Sequence, residues 1–135
     1  MNNTALSGGT APQSALIAVL DDEPFICDII ARVFRSRHQV EVFSEEASLF
    51  HTLESGVRFD LIFCDLMLDG TDGRFVFDTI QERWGEQAQR IVFLSGIAEK
   101  TARAGVLKGL DNRMIEKPFT LSDIRDALSE HLARF

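Results

Sequence analysis

The 135-residue chain is poor in the residues that would commit it to several common roles. It has two cysteines, Cys27 and Cys64, far apart, one in an amphipathic segment and one in an apolar run. Neither stands at metal-ligand spacing, so both read as buried reduced thiols of a cytosolic protein. No apolar run approaches the ~20 residues that a membrane span needs. The N-terminus lacks a basic segment followed by an apolar one, so no signal peptide is visible. Basic residues are scarce: 14 Lys and Arg stand against 21 Asp and Glu, a net charge of −7. Without a basic stripe to neutralise phosphates, neither nucleic acid nor a membrane surface is an expected partner. Repeats are absent, and the length suits one domain that buries about two-thirds of its unfolded surface.

What is present begins after a polar, aperiodic stretch, residues 1–14, which reads as a disordered lead or linker. Residues 15–135 form the domain. Ala15–Leu20 reads as a strand that stops at Asp21-Asp22-Glu23. Pro24 suits a first helical turn, and Phe25, Ile26, Ile29, Ile30, Val33 and Phe34 follow at helical spacing to about Arg37. Gln39–Phe43 alternates as a second strand, and Ser44 is the expected N-cap of a helix reaching Ser55. The apolar run Leu61–Cys64 is a third strand, stopping at Asp65. A loop with Gly70 and Gly73 leads to a helix from about Arg74 to Trp84. Arg90–Ser95 is the fourth strand, a helix spans about Glu99 to Lys108, and Arg113–Glu116 is a short fifth strand. Thr120-Leu-Ser-Asp123 is a capping box that opens the last helix, which runs to Arg134.

Strands alternating with helices predict an α/β fold, a parallel sheet with right-handed crossovers and helices on both faces. The strand ends then meet at one edge, where open α/β sheets place their ligands. Asp21 and Asp22, Asp65, Ser95 and Lys117 stand there, each polar or charged after an apolar strand. Three gathered carboxylates repel one another unless a cation joins them, and hard oxygen donors suit Mg²⁺. Lys117 adds a fixed positive charge and Ser95 a hydroxyl that can donate to an anionic oxygen. Such a set is built to receive a phosphoryl group, with a carboxylate as the attacking nucleophile.

The combination of Leu20-Asp-Asp-Glu, Asp65 with Gly73 eight residues on, Ser95-Gly96 and Lys117-Pro118-Phe119 resembles the receiver domain of two-component response regulators. The likeness covers Ala15 to the C-terminus. It implies a flavodoxin-like (βα)5 fold with strand order 2-1-3-4-5, and Asp65 as phosphoacceptor from a histidine kinase or a histidine phosphotransfer protein. It also implies Mg²⁺ held by Asp22, Asp65 and the Met67 backbone carbonyl, with Asp21 acting through water. Ser95 would be the switch hydroxyl, Lys117 the partner of the phosphate, and the Lys117–Pro118 peptide cis. Three positions depart from the family pattern. Asp69 replaces a usual proline, adding negative charge and loosening the loop; Met114 replaces an aromatic; Gly96 replaces alanine.

His38, His51 and His131 share no motif, and surface or satisfied structural roles are expected. Phe25, Phe34, Phe50, Phe63, Phe75, Phe77 and Phe93 read as core packing. Leu68-Asp-Gly-Thr71 echoes haloacid-dehalogenase-type phosphatases, but their nucleophile position holds Met67. The alternative is a pseudo-receiver, an interaction module that never takes phosphate. Because the sequence ends with its last helix, output is expected by protein contact or onward phosphotransfer, from a stand-alone cytoplasmic regulator or a piece of a hybrid kinase.

Overall fold

The computed structural model describes residues 14–134, so nearly all of the lead expected over residues 1–14 lies outside the described part. In chain order the elements are β1 (Leu16–Leu20), α1 (Pro24–Phe34), β2 (Gln39–Phe43), α2 (Glu46–Glu54) and β3 (Leu61–Asp65). They continue with β4 (Met67–Leu68), β5 (Thr71–Asp72), α3 (Gly73–Trp84), β6 (Ile91–Ser95), α4 (Lys100–Val106), β7 (Met114–Glu116) and α5 (Leu121–Arg134). Short 3-10 turns, Gly85–Arg90 and Ile97–Glu99, precede β6 and α4.

The main sheet runs β2-β1-β3-β6-β7, all pairs parallel. Setting the small β4-β5 hairpin aside, this is the expected order 2-1-3-4-5. The two-residue period of a strand sends alternate side chains to opposite faces. Ala18, Leu20, Ile62, Cys64, Ile91 and Phe93 face one core with α2 and α3. Ile17, Val19, Leu61, Phe63, Val92 and Leu94 face the other, with α1 and α5. Fully burying a side chain such as Leu61 or Phe63 contributes about 1.5–3 kcal/mol, so the central strands are over-determined and their ends are fixed in space.

Helix boundaries follow local chemistry. Pro24 stands in the first turn of α1. The reciprocal bonds of the capping box form as expected: Asp123 N–H to Thr120 Oγ1 at 3.1 Å, Thr120 N–H to Asp123 Oδ2 at 2.9 Å. Several expectations need correction. Ser44 does not cap α2, which starts one residue later with Glu45 at the extended N-cap position. α3 starts at Gly73, capped by Asp72, whose Oδ1 accepts from Phe75 N–H at 3.0 Å. Phe34, Phe63, Phe77 and Phe93 are core residues, and Phe50 is half-buried. Phe25 and Phe75 are not core: they are 71% and 51% exposed. The buried stripe of α1 is Cys27, Ile30, Ala31 and Phe34, and Phe25 lies off it. On α3 the stripe is Val76, Phe77 and Ile80, leaving the Phe75 ring edge-on to Phe50 at 6.2 Å.

Candidate functional site

The site is built by strand ends. β1 delivers Asp21, β3 ends in Asp65, β6 ends in Ser95, and Lys117 follows β7. Backbone bonds lock these ends together: Lys117 N–H donates to Ser95 O at 2.7 Å, and Leu66 N–H to Leu94 O at 2.7 Å. The Lys117–Pro118 peptide is cis. Gly73 lets the chain pass tightly beneath Asp65, because a Cβ there would lie 2.9 Å from Phe93 Cε1 and 3.3 Å from the Asp65 carbonyl oxygen.

Asp21, Asp22 and Asp65 each offer a carboxylate oxygen within 4.8 Å of the others. Asp21 and Asp65 are buried and Asp22 is exposed, so the group opens to solvent on one side. Lys117 Nζ lies 3.0 Å from Asp21 Oδ2, 2.8 Å from Glu23 Oε1 and 3.5 Å from Asp65 Oδ1. Despite those distances, no well-directed hydrogen bond reaches Asp21 Oδ2 or Asp65 Oδ1. Buried carboxylate oxygens are usually satisfied, and two that share one lysine beside a third carboxylate fit a hard cation with oxygen ligands.

The electrostatics agree. Burial, then the charge of Asp21, pushes Asp65 up to about 7 against the pull of Lys117. Burial also raises Asp21, although the Glu23 backbone and Lys117 act to lower it. Burial alone would lower Lys117, but the Glu23 and Asp21 carboxylates beside it prevail and hold it above the ordinary lysine range. One lysine thus does not neutralise the cluster, and a divalent cation would restore the ionised form of Asp65.

The loop after Asp65 is more ordered than its departure from the family pattern suggests. β4 and β5 pair as a hairpin, with Gly70 at φ +82° in the connection. The Asp69 N–H donates to Asp22 Oδ2 at 3.0 Å, a bond the usual proline could not make. Asp69 therefore ties the loop to the acidic cluster where loosening was expected. Met67 opens the hairpin with its side chain exposed, and its backbone acts to lower the Asp65 carboxyl against the effect of burial.

Three residues of this neighbourhood carried no role in the sequence reading. Glu23 pairs with Lys117 across 94 residues. Glu99 adds negative potential at Asp65 and accepts from Gly96 N–H at 3.0 Å. Arg103 Nε donates to the fully buried Ser95 Oγ at 3.0 Å. Only the Asp-Asp-Glu run hinted at one of them. The histidines stand apart from the site: His38 Nδ1 accepts from Ala15 N–H at 2.9 Å, His51 is exposed, and His131 is buried on α5.

A doubly wound parallel sheet with an acidic cluster, a hydroxyl and a lysine at its carboxyl edge is a flavodoxin-like α/β domain with polar groups where such sheets place their ligands. Residues 17–129 match the family model of the response regulator receiver domain, and the chain belongs to that family. Among curated proteins it is similar to the transcriptional activator protein PfeR of Pseudomonas aeruginosa, 32% identical over 126 residues. That match covers 91% of this chain and 39% of PfeR, so the chain spans well under half of that relative's length. Among solved structures it resembles the receiver domain of the Francisella response regulator 1452, with TM-score 0.73 and 19% identity over 90% of this chain and 98% of that one. A response regulator receiver protein from Sinorhizobium medicae aligns with TM-score 0.71 and 23% identity over 89% and 95% of the two chains.

Proposed function

We propose that this domain is a phosphorylation switch. Asp65 takes a phosphoryl group from the phosphohistidine of a histidine kinase or histidine phosphotransfer protein, with Mg²⁺ as cofactor. The observation that carries the reading is the pair of buried carboxylates, Asp21 and Asp65, that share Lys117 and lie with Asp22 in one cluster. Asp22, Asp65 and the Met67 carbonyl would hold the ion, with Asp21 reaching it through water. When bound, Mg²⁺ supplies positive charge to the cluster and to the phosphoryl oxygens.

In the transfer, an Asp65 carboxylate oxygen attacks phosphorus in line as the N–P bond of the donor breaks. The imidazole leaves with the bonding pair and takes up a proton, and Asp65 becomes an acyl phosphate. Lys117 meets the added negative charge, and Ser95 supplies a hydroxyl proton to a phosphoryl oxygen. The product stays on the protein, so the domain acts once per signal and is not a turnover enzyme. Its output is a change in protein contacts. The net charge of −7 argues against nucleic acid as a direct partner of this domain. Free Cys27 and Cys64 suit the cytoplasm, and among the described residues no helix is long and apolar enough to cross a membrane.

Intact-mass measurement after incubation with acetyl phosphate tests the reading. One phosphoryl group should add with Mg²⁺, none with chelator, and none in Asp65→Asn. Equal labelling of that variant would remove Asp65 from the role, and steady release of inorganic phosphate would point instead to a phosphatase.

A further inference from the structure

α4 is weakly anchored by apolar packing. None of its seven residues is buried, and Gly105 stands inside it, where glycine costs about 1 kcal/mol relative to alanine. An element held this way opens at the low end of a protein's range of local stabilities. Its polar anchorage includes Lys100 Nζ at 3.8 Å from Glu116 Oε2 and the Arg74 Nη1 bond to the Val106 carbonyl at 3.4 Å, but Arg103 makes most of it. Arg103 Nε donates to Ser95 Oγ at 3.0 Å; Arg103 Nη2 reaches Glu116 Oε2 at 3.2 Å and the Gly96 carbonyl at 3.4 Å. The Arg103 side chain is 19% exposed, so this planar fork works largely out of water, joining α4 to the ends of β6 and β7 at once.

Ser95 Oγ accepts the Arg103 bond and keeps its own proton to donate. The acceptor for that proton is the Gly96 carbonyl at 3.4 Å, a long contact that leaves the hydroxyl ready for a better partner. A phosphoryl oxygen is such a partner, because a hydrogen bond to an ionised acceptor is about twice as strong as a neutral one. Serine rotamers stand about 120° apart, so turning toward a new acceptor carries Oγ out of reach of Arg103 Nε. Met114 offers no ring that could gate this motion.

We propose that Arg103 is a positioning residue that couples the Asp65 site to α4. It holds the Ser95 hydroxyl on the α4 side while Asp65 carries no phosphoryl group, and loses that bond when the hydroxyl turns to a phosphoryl oxygen. α4 then loses its link to the Ser95 hydroxyl and keeps the contacts of Arg103 and Lys100 with Glu116 and the bond from Arg74 to the Val106 carbonyl. The coupling rests on the reading of Asp65 as phosphoacceptor.

The test is amide exchange over residues 100–106 in the full chain, comparing the parent with Arg103→Ala, Ser95→Ala and the double variant. Each is measured alone and with Mg²⁺ and beryllofluoride, whose fluorine signal reports occupancy of Asp65. Without beryllofluoride, Ser95→Ala should raise α4 exchange several-fold, Arg103→Ala at least as much, and the double variant no further than Arg103→Ala, the non-additivity of two groups that share one bond. Unchanged exchange in β1 and β3 shows that all four chains are folded. With beryllofluoride bound, the parent should rise to the level of Ser95→Ala, while the variants show occupancy but no further response at α4. Additive effects in the cycle, or an α4 response that is the same with and without Arg103, overturn the proposal. If beryllofluoride binds and the parent α4 is unmoved, only the coupling falls. If it does not bind the parent at Asp65, the phosphoacceptor reading falls, and the coupling with it.

Discussion

Replacing Asp65 with asparagine should stabilise the metal-free protein, although it removes the reactive group. The side chain is 3% exposed, and burial beside Asp21 moves its titration from 3.8 to about 7. At about 1.4 kcal/mol for each tenfold change in proton affinity, keeping it ionised in the fold costs up to about 4 kcal/mol. The unfolded chain carries no such cost. Below about pH 4 both states hold the proton, so parent and Asp65→Asn should be equally stable. As pH rises, the unfolded chain ionises first, and the parent loses stability relative to the variant until the folded carboxyl also ionises near pH 7. Above that the gap is constant. Asp21 and Asp65 titrate against each other, so a gap of about 2–4 kcal/mol is expected at pH 8. Urea unfolding in chelator, run on both proteins from pH 4.5 to pH 8.5, measures it directly. Adding Mg²⁺ at pH 8 should narrow the gap, because the cation favours the ionised form. Equal stability at pH 8 without metal would refute the reasoning and mean that Lys117 already neutralises the cluster.

Other perturbations separate packing from charge. Gly73→Ala should lower stability by about 1–3 kcal/mol in a thermal or urea melt, since its Cβ would press on Phe93 and on the Asp65 carbonyl. Gln87→Ala should cost about 2 kcal/mol or more by urea unfolding, because the buried Gln87 amide serves both Phe59 N–H at 2.8 Å and Phe59 O at 3.0 Å. His131 is held down to about 4 by burial and then by Arg90 and Arg134, so its imidazole should stay neutral at pH 5.5 in an NMR titration. The same shift removes stability as pH falls from about 6.5 to about 4, where the unfolded chain gains a proton that the fold refuses.

Much of the site was legible because strand periodicity and strand termination are local properties. The apolar runs end at Asp21, Asp65 and Ser95, and the parallel topology that follows from alternating strands and helices brings those ends to one edge. The capping box at Thr120 was equally local. Where reading failed, the cause was a choice between neighbouring residues that local pattern leaves open. Ser44 and Glu45 both precede an acidic first turn, and Phe75 and Phe77 both fit an apolar spacing, but only docking on the sheet decides which one faces it.

The sequence by itself determined the parallel sheet, the acidic edge and the positions of Lys117 and Ser95, since each is set by runs of a few residues and by the handedness of crossovers, while the strand order came from the family resemblance. Only the tertiary structure decided what these groups touch. Lys117 meets Glu23 as well as Asp21, and Asp69 secures Asp22 through its backbone. Gln87 completes Phe59, and Arg103 holds the Ser95 hydroxyl. Each of these bonds joins polar groups on separate elements or loops, and hydrogen bonds form only within a few tenths of an ångström and a narrow range of angle. No local pattern encodes that precision; it arises when the packed sheet sets the distance between one loop and the next.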